Sequence, residues 1–223
     1  MSQTTLIVGA SRGIGKELVD QIAADADHNV IASVRKVQEF PQPNVRVIQL
    51  DQSKQETVTA AAESVKSIDT LIVNAAIGED DTVLGISDER WREYFEVNVL
   101  GVLRVVRAFL PALRAGKLKR IVLISSTSGS LTRQIDIKSG FKGPYSVTKA
   151  GVNMLAVQLH NELSKAEGFT VVPIHPGWVA TDMGGEGGMP VTKSVEGIKK
   201  VVLGLKLEDS AKFYNWDGSL IEW

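Results

Sequence analysis

The chain has 223 residues, a length that suits a single large α/β domain over its whole extent, 1–223. With 43% apolar residues, 23% charged residues and a net charge of -1, it has an ordinary globular composition and lacks the basic stripe of a nucleic-acid binder. Cysteine is absent, which excludes disulfides and thiolate metal sites.

The opening, MSQTTLIVGA, shows no basic segment followed by a long apolar core, so no signal peptide is expected. The most apolar stretch, Val97 to Leu113, is interrupted by Arg104 and Arg107 and is too short and too charged to span a bilayer. A cytoplasmic protein with no membrane partner is the expectation. His28, His160 and His175 have no metal-like spacing, and Glu79, Asp80 and Asp81 read as a solvated loop, so no metal is expected.

In chain order, short β-rich runs alternate with helical patterns. Strands are predicted over Thr4–Val8, Val30–Val34, Val45–Leu50, Thr70–Val73, Arg120–Ile124 and Thr170–Ile174. Most are continuous apolar runs, as a parallel sheet covered on both faces requires. Helices are predicted over Gly13–Ala26, Gln55–Lys66, Asp88–Ala115, Tyr145–Glu167 and Lys193–Leu205, with a short last strand near Lys212–Tyr214. This alternation implies right-handed crossovers and a doubly wound parallel sheet of about seven strands, helices on both faces. The irregular stretches Thr127–Pro144 and Met183–Thr192 each lie beyond a predicted strand end, where open α/β sheets bind ligands.

After the first strand comes Gly9-Ala10-Ser11-Arg12-Gly13-Ile14-Gly15, spaced GxxxGxG. A strand that turns sharply into a helix exposes backbone N–H groups to a phosphate, and glycine lets the phosphate approach. A tight turn that binds nothing is the bland alternative. About 20 residues on, dinucleotide-binding folds of the Rossmann type that take NAD place an acid for the ribose hydroxyls. Here the second strand ends Ala32-Ser33-Val34-Arg35-Lys36, with a cation and no acid. Arg35 is suited to clamp a 2′-phosphate, with Ser33 adding a hydroxyl and Arg12 a second cation. The pattern favours NADP(H) over NAD(H); two solvated arginines are the alternative.

Tyr145 and Lys149 lie four apart at the start of a helix and share a face. A phenol beside an ammonium is expected to have its pKa lowered, which suits a general acid that must recover its proton. The fifth strand ends Ile124-Ser125-Ser126, where a hydroxyl can polarise a carbonyl oxygen. Ser126 is the first choice; Ser125 reads as a residue that satisfies the turn.

Taken together, these residues resemble the short-chain dehydrogenase/reductases over nearly the whole chain. The pieces are Gly9–Gly15, Asp51 after the third strand, Asn74-Ala75-Ala76 after the fourth, Asn98, Ser126, Tyr145-x-x-x-Lys149, and Pro176-Gly177 followed by Thr181. The segment His175–Gly185 and the ending Lys212–Gly218 with Trp223 resemble the branch of Sniffer-type carbonyl reductases and C-factor proteins.

The resemblance implies that Tyr145 protonates a carbonyl as hydride arrives from the nicotinamide, that Lys149 holds the ribose and tunes the phenol, and that Ser126 orients the carbonyl. It implies that Asn98 supports a water-linked proton relay, Asp51 contacts adenine and Asn74 shapes the cofactor cleft. Gly9, Ser11, Gly13, Ile14 and Gly15 then belong to the phosphate loop, while Pro176, Gly177, Val179 and Thr181 flank the nicotinamide.

Two departures stand out. Val8 replaces a common threonine, and Ser126 lies nineteen residues before Tyr145, longer than is usual in the family. Thr132 fits the shorter spacing and is the second choice. Trp178, Met183, Met189 and Phe141 are candidates for an apolar wall, and Gly184, Gly185, Gly187 and Gly188 for a lid that orders on binding. The substrate is then a small carbonyl compound of apolar character. The apolar density of Val97–Leu110 and Val152–Leu159 suggests a homodimer or homotetramer. Besides the NADPH-dependent carbonyl reductase, a non-catalytic dinucleotide-sensing protein of the same fold remains an alternative, and a dehydratase or epimerase acting on a nucleotide-linked substrate ranks last.

Overall fold

A computed structural model describes residues 2–136 and 141–223. Seven strands, β1 (Gln3–Val8), β2 (His28–Val34), β3 (Val45–Gln49), β4 (Thr70–Val73), β5 (Arg120–Ile124), β6 (Thr170–His175) and β7 (Tyr214–Asn215), form one sheet in the order β3-β2-β1-β4-β5-β6-β7. Every neighbouring pair is parallel. The helices are α1 (Gly13–Ala23), α2 (Gln55–Glu63), α3 (Asp88–Phe95), α4 (Gly101–Ala115), α5 (Leu131–Gln134), α6 (Gly143–Glu167) and α7 (Val191–Gly204).

The period of two along each strand divides the core between the faces. Leu6 and Val8 of β1 join Leu71, Leu123 and Val171 in one layer, closed by Val58 of α2, Phe109 of α4 and Val152 and Leu159 of α6. Ile7 points the other way and meets Ile72, Val122 and Ile174 under Leu18 and Ile22 of α1 and Val195 and Ile198 of α7. Each fully buried aliphatic or aromatic side chain contributes about 1.5–3 kcal/mol of transfer free energy, so the strand ends are anchored from both sides. Successive connections from β1 leave in opposite directions along the sheet, and the crevice above β1 and β4 is the switch point where this architecture takes ligands.

Several predicted boundaries shift. The helix expected over Asp88–Ala115 is broken by a π-helical turn, Glu96–Leu100, between α3 and α4. The stretch Thr127–Pro144 contains a 3₁₀ turn (Thr127–Gly129), α5 and the first residues of α6, while 137–140 lie outside the described residues. The helix expected over Gly13–Ala26 stops at Ala23, and that over Gln55–Lys66 at Glu63.

The apolar density of the two long helices finds use within one chain. Val102, Val105, Val106 and Phe109, with Val152, Ala156 and Leu159, all enter the core on the sheet. Leu100, Val147 and Met154 stay exposed.

Candidate active site

The carboxyl ends of β1, β4, β5 and β6 open into one cleft of about 1230 Å³. On its floor, Gly9 has φ of +84°, and an added Cβ would sit 2.7 Å from the Ala75 Cβ, so only glycine fits. Ser11, Arg12, Gly13 and Ile14 line the cleft at the start of α1, whose free N–H groups form an anion site. Gly15 is buried beneath this lining, where a Cβ would collide with the Gly9 carbonyl oxygen. Asn74 braces the turn, its Nδ2 donating to the Gly9 carbonyl at 3.0 Å.

At the far end, Ser33 and Arg35 line the cleft together with Asp51. The Ser33 hydroxyl is fully buried and has no hydrogen-bond partner among the described residues. A buried unpaired hydroxyl is costly and calls for a partner. Together with the glycine floor and the anion site of α1, this orphaned oxygen fits a phosphate-bearing dinucleotide. Burial pushes the Asp51 carboxyl up, but hydrogen bonds from Ser53 and the charges of Arg35 and Lys54 outweigh it and leave the pKa below the usual value. Arg12 takes a different partner from the one its position suggests. It pairs with Asp182 at 2.5 Å, bridging the glycine loop and the segment after β6.

The chemistry gathers at the other end. Tyr145 in the first turn of α6 is buried, and its ring meets Phe141 edge-on with centroids 5.2 Å apart. Lys149, one turn on, donates from Nζ to the Ile124 carbonyl at 2.7 Å and lies 5.6 Å from the Tyr145 ring centroid. Burial pushes the Tyr145 hydroxyl up to about 12, partly offset by its hydrogen bond with Ser126. Burial likewise brings the Lys149 ammonium down to about 8. The expected lowering of the phenol by Lys149 is therefore not what the buried pair shows, because desolvation penalises the charged form of each group.

Ser126 lines the cleft, and its Oγ accepts from the Ser128 N–H at 3.0 Å. Ser125 is turned inward, donating to Asn153 Oδ1 at 2.6 Å, the structural part expected of it. Thr132 drops out as the second choice, because its hydroxyl donates to the Trp223 backbone oxygen at 2.9 Å and it does not line the cleft. Asn98 sits in the π turn, out of the lining and buried. Its Nδ2 donates to the Ile77 carbonyl at 2.9 Å and to Thr148 Oγ1 at 3.0 Å, while its Oδ1 accepts from the Ile77 N–H at 2.9 Å. Both donors are taken, so the side chain ties the loop after β4 to α6.

Pro176, Gly177, Val179 and Thr181 line the remaining wall. The Thr181 hydroxyl accepts from the Gly184 N–H at 3.1 Å. The segment expected to order as a lid is already stitched to itself, Ala180 N–H to the Met189 carbonyl and Met189 N–H to the Trp178 carbonyl. Trp178 is 63% exposed and donates its indole N–H to the Gly184 carbonyl, so it forms the rim of the cleft. Met183 places its sulfur over the Gly78–Tyr145 contact, on the wall as expected, and Met189 packs on Gly177 outside the lining.

Two features escaped the sequence reading. Asp81 is no free loop acid: it accepts from the buried Tyr94 hydroxyl at 2.7 Å and lies 3.5 Å from Arg90, which also pairs with Glu79. His175, read only as a non-ligand, lines the cleft beside Thr127.

The short chain dehydrogenase family model matches residues 3–188. This chain belongs to that family. A Schizosaccharomyces pombe protein described as an uncharacterized oxidoreductase is 33% identical, the alignment covering 96% of each chain. The C-signal protein of Myxococcus xanthus is 39% identical over 70% of this chain and 93% of its own. Among solved structures, the NADPH-bound carbonyl reductase from chicken fatty liver superposes with a TM-score of 0.91 at 29% identity, covering all of this chain and 94% of its own. In this short-chain dehydrogenase the matched span contains the glycine loop, the Tyr145–Lys149 pair and the wall from Pro176 to Thr181.

Proposed function

We propose that this short-chain dehydrogenase is an NADPH-dependent carbonyl reductase acting on a small ketone or aldehyde of apolar character. The observation that carries the reading is the buried Tyr145 side chain, which lines the dinucleotide-sized cleft together with Ser126 and lies one helical turn from Lys149. The similar chicken carbonyl reductase binds NADPH, which supports the cofactor choice alongside Ser33 and Arg35.

NADPH, when bound, supplies the hydride. Arg35 and Ser33 hold its 2′-phosphate, Ser11 to Ile14 the pyrophosphate, and Asp51 the adenine. Ser126 donates a hydrogen bond to the carbonyl oxygen and so favours the developing negative charge. Tyr145, protonated across the neutral range with its pKa at about 12, gives its proton to that oxygen. Lys149, fixed by Ile124, keeps two N–H groups for the ribose hydroxyls. Asn98 acts through position, keeping Thr148 and the loop after β4 in register with α6. Phe141 and Met183 shield the reacting carbon from water. Exposed Leu100, Val147 and Met154 favour a homodimer or homotetramer, which light scattering of the purified protein measures.

The test is NADPH oxidation against a carbonyl panel of isatin, aromatic aldehydes, quinones and diketones, with Tyr145→Phe in parallel. Turnover by the native chain, abolished in Tyr145→Phe with NADPH binding retained, is the expected result. NADPH binding without turnover on any compound would instead mark a dinucleotide-sensing protein.

A further inference from the structure

The Ser126 side chain is held within its own turn, where its Oγ accepts from the Ser128 N–H at 3.0 Å. Ser126 follows the last residue of β5 by two positions and caps the 3₁₀ turn Thr127–Gly129, so its Oγ is aimed by the backbone of that turn. A hydroxyl that must meet a substrate oxygen within hydrogen-bond reach needs the turn fixed to a few tenths of an ångström. Two polar side chains, neither belonging to the Ser-Tyr-Lys set, grip the turn: Asn153 of α6, which is buried, and His175 at the end of β6, which is half-buried.

The first is Asn153. It follows Lys149 by one helical turn and Tyr145 by two, on the same strip of α6, and is only 4% exposed among Val152 and Ala156. Its Oδ1 accepts from Ser125 Oγ at 2.6 Å, and its Nδ2 donates to the Gly129 carbonyl at 3.1 Å. One amide thus spans the turn, holding the residue before Ser126 and the residue three after it. The turn lies flush on the helix: a Cβ on Gly129 would be 2.5 Å from the Lys149 carbonyl carbon.

The second is His175 at the end of β6. Its Nδ1 faces the Thr127 N–H at 3.2 Å, which fixes the ring proton on Nε2. Burial, with the charges of Arg133 and Lys149, brings its pKa down to about 4, so the imidazole remains a neutral acceptor at neutral pH.

We propose that Asn153 and His175 are positioning residues that lock the Ser126 turn onto α6 and β6 and thereby set the Ser126 hydroxyl against Tyr145. The proposal rests on the catalytic reading of Ser126. An amide that merely satisfied the core would affect stability alone, whereas a clamp acts on turnover and only through Ser126.

The test uses the full chain with NADPH and the best carbonyl of the panel. Variants are Asn153→Leu, His175→Leu, His175→Asn, Ser126→Ala and the double variant Asn153→Leu/Ser126→Ala, each measured for kcat, KM and NADPH Kd. A displacement of about 1 Å at a reacting group costs up to roughly a hundredfold in rate, so Asn153→Leu and His175→Leu should lower kcat by about tenfold to a hundredfold. For Asn153→Leu, KM and NADPH Kd should stay within about threefold, since Asn153 is buried outside the cleft lining. His175→Asn, whose amide oxygen can accept the same N–H, should recover most of the rate. In the Ser126→Ala background Asn153→Leu should cost nothing further, the mark of groups acting as one unit.

Equal losses from Asn153→Leu in both backgrounds, or losses that fall mainly on NADPH Kd, would overturn the clamp while leaving the reductase reading intact. Full turnover in Ser126→Ala would remove that reading and the clamp with it. If Asn153→Leu does not fold, the His175→Leu and His175→Asn pair decides: equal activity in the two overturns the proposal, and rescue by asparagine supports it.

Discussion

Replacing Ser33 by alanine should push the free protein and its NADPH complex in opposite directions. The Ser33 hydroxyl is fully buried at the end of β2 and meets no partner among the described residues. Leaving such a group unpaired costs about 1–3 kcal/mol in the folded protein, and its removal leaves only a small void. A net gain of about 1 kcal/mol corresponds to a Tm raised by roughly 2–4 °C for a chain of this size. In the complex the same substitution deletes a hydrogen bond to a charged phosphate, worth about 1.5–3 kcal/mol. At 1.4 kcal/mol per decade, NADPH Kd rises by roughly tenfold to a hundredfold while NADH Kd is unchanged. Arg35→Ala should weaken NADPH in the same selective way. Because Arg35 is exposed, its loss should shrink as ionic strength rises, whereas the buried Ser33 contact is screened less. Thermal melts of the free protein, with fluorescence titrations of both nucleotides at two salt concentrations, measure every term. A Ser33→Ala protein that melts lower, or that loses NADH and NADPH equally, refutes the reasoning.

Arg12→Ala should weaken NADPH less than Arg35→Ala, because its guanidinium is already paired with Asp182 in the free protein; nucleotide titration of the two variants compares them directly. Gly78→Ala should lower kcat with NADPH Kd preserved, since a Cβ there would lie 2.7 Å from the Tyr145 ring and push the phenol from its place. Stability should vary with pH in two windows. From about 8 to 10.5 the unfolded chain keeps a Lys149 proton that the folded chain has lost, so stability rises with pH there. From 10 to about 12 the folded chain retains a Tyr145 proton that the unfolded chain has released, so stability falls, and raised Tyr94 and Tyr214 act in the same sense. Urea unfolding across this range should show Lys149→Met flattening the lower window and leaving the upper one in place.

The sheet was legible because burial on both faces writes continuous Val, Ile and Leu runs, as in Leu71–Val73 and Ile121–Ile124, and a glycine loop followed the first of them. Tyr145 and Lys149 were legible because one helical turn is a spacing. The π turn was hidden because a single extra residue hardly disturbs the apolar pattern of Asp88–Ala115. Asn153 and His175 were missed because their partners are backbone groups and a serine many residues away in sequence, and nothing local marks such a pairing. The pKa directions went astray for a similar reason: proximity of a cation is visible in a sequence, but the depth of burial that overrules it is not. Glu79 and Asp81 misled because three successive acids look solvated until Tyr94 and Arg90 are brought to them by α3.

The wide turn at Glu96–Leu100 carries one residue more than an α-helix would hold. Deleting a single position there would let α3 run into α4 with ordinary i→i−4 bonds, and the isolated helix would gain from it. Because the bulge absorbs its extra residue, the faces of α3 and α4 would keep their relation, but the wide turn from which Asn98 reaches both Ile77 and Thr148 would be gone. Evolutionary drift or design that optimises this helix for its own sake would therefore yield a sturdier rod and a dismantled crevice, and shortened variants should be sought among stable proteins that no longer turn over.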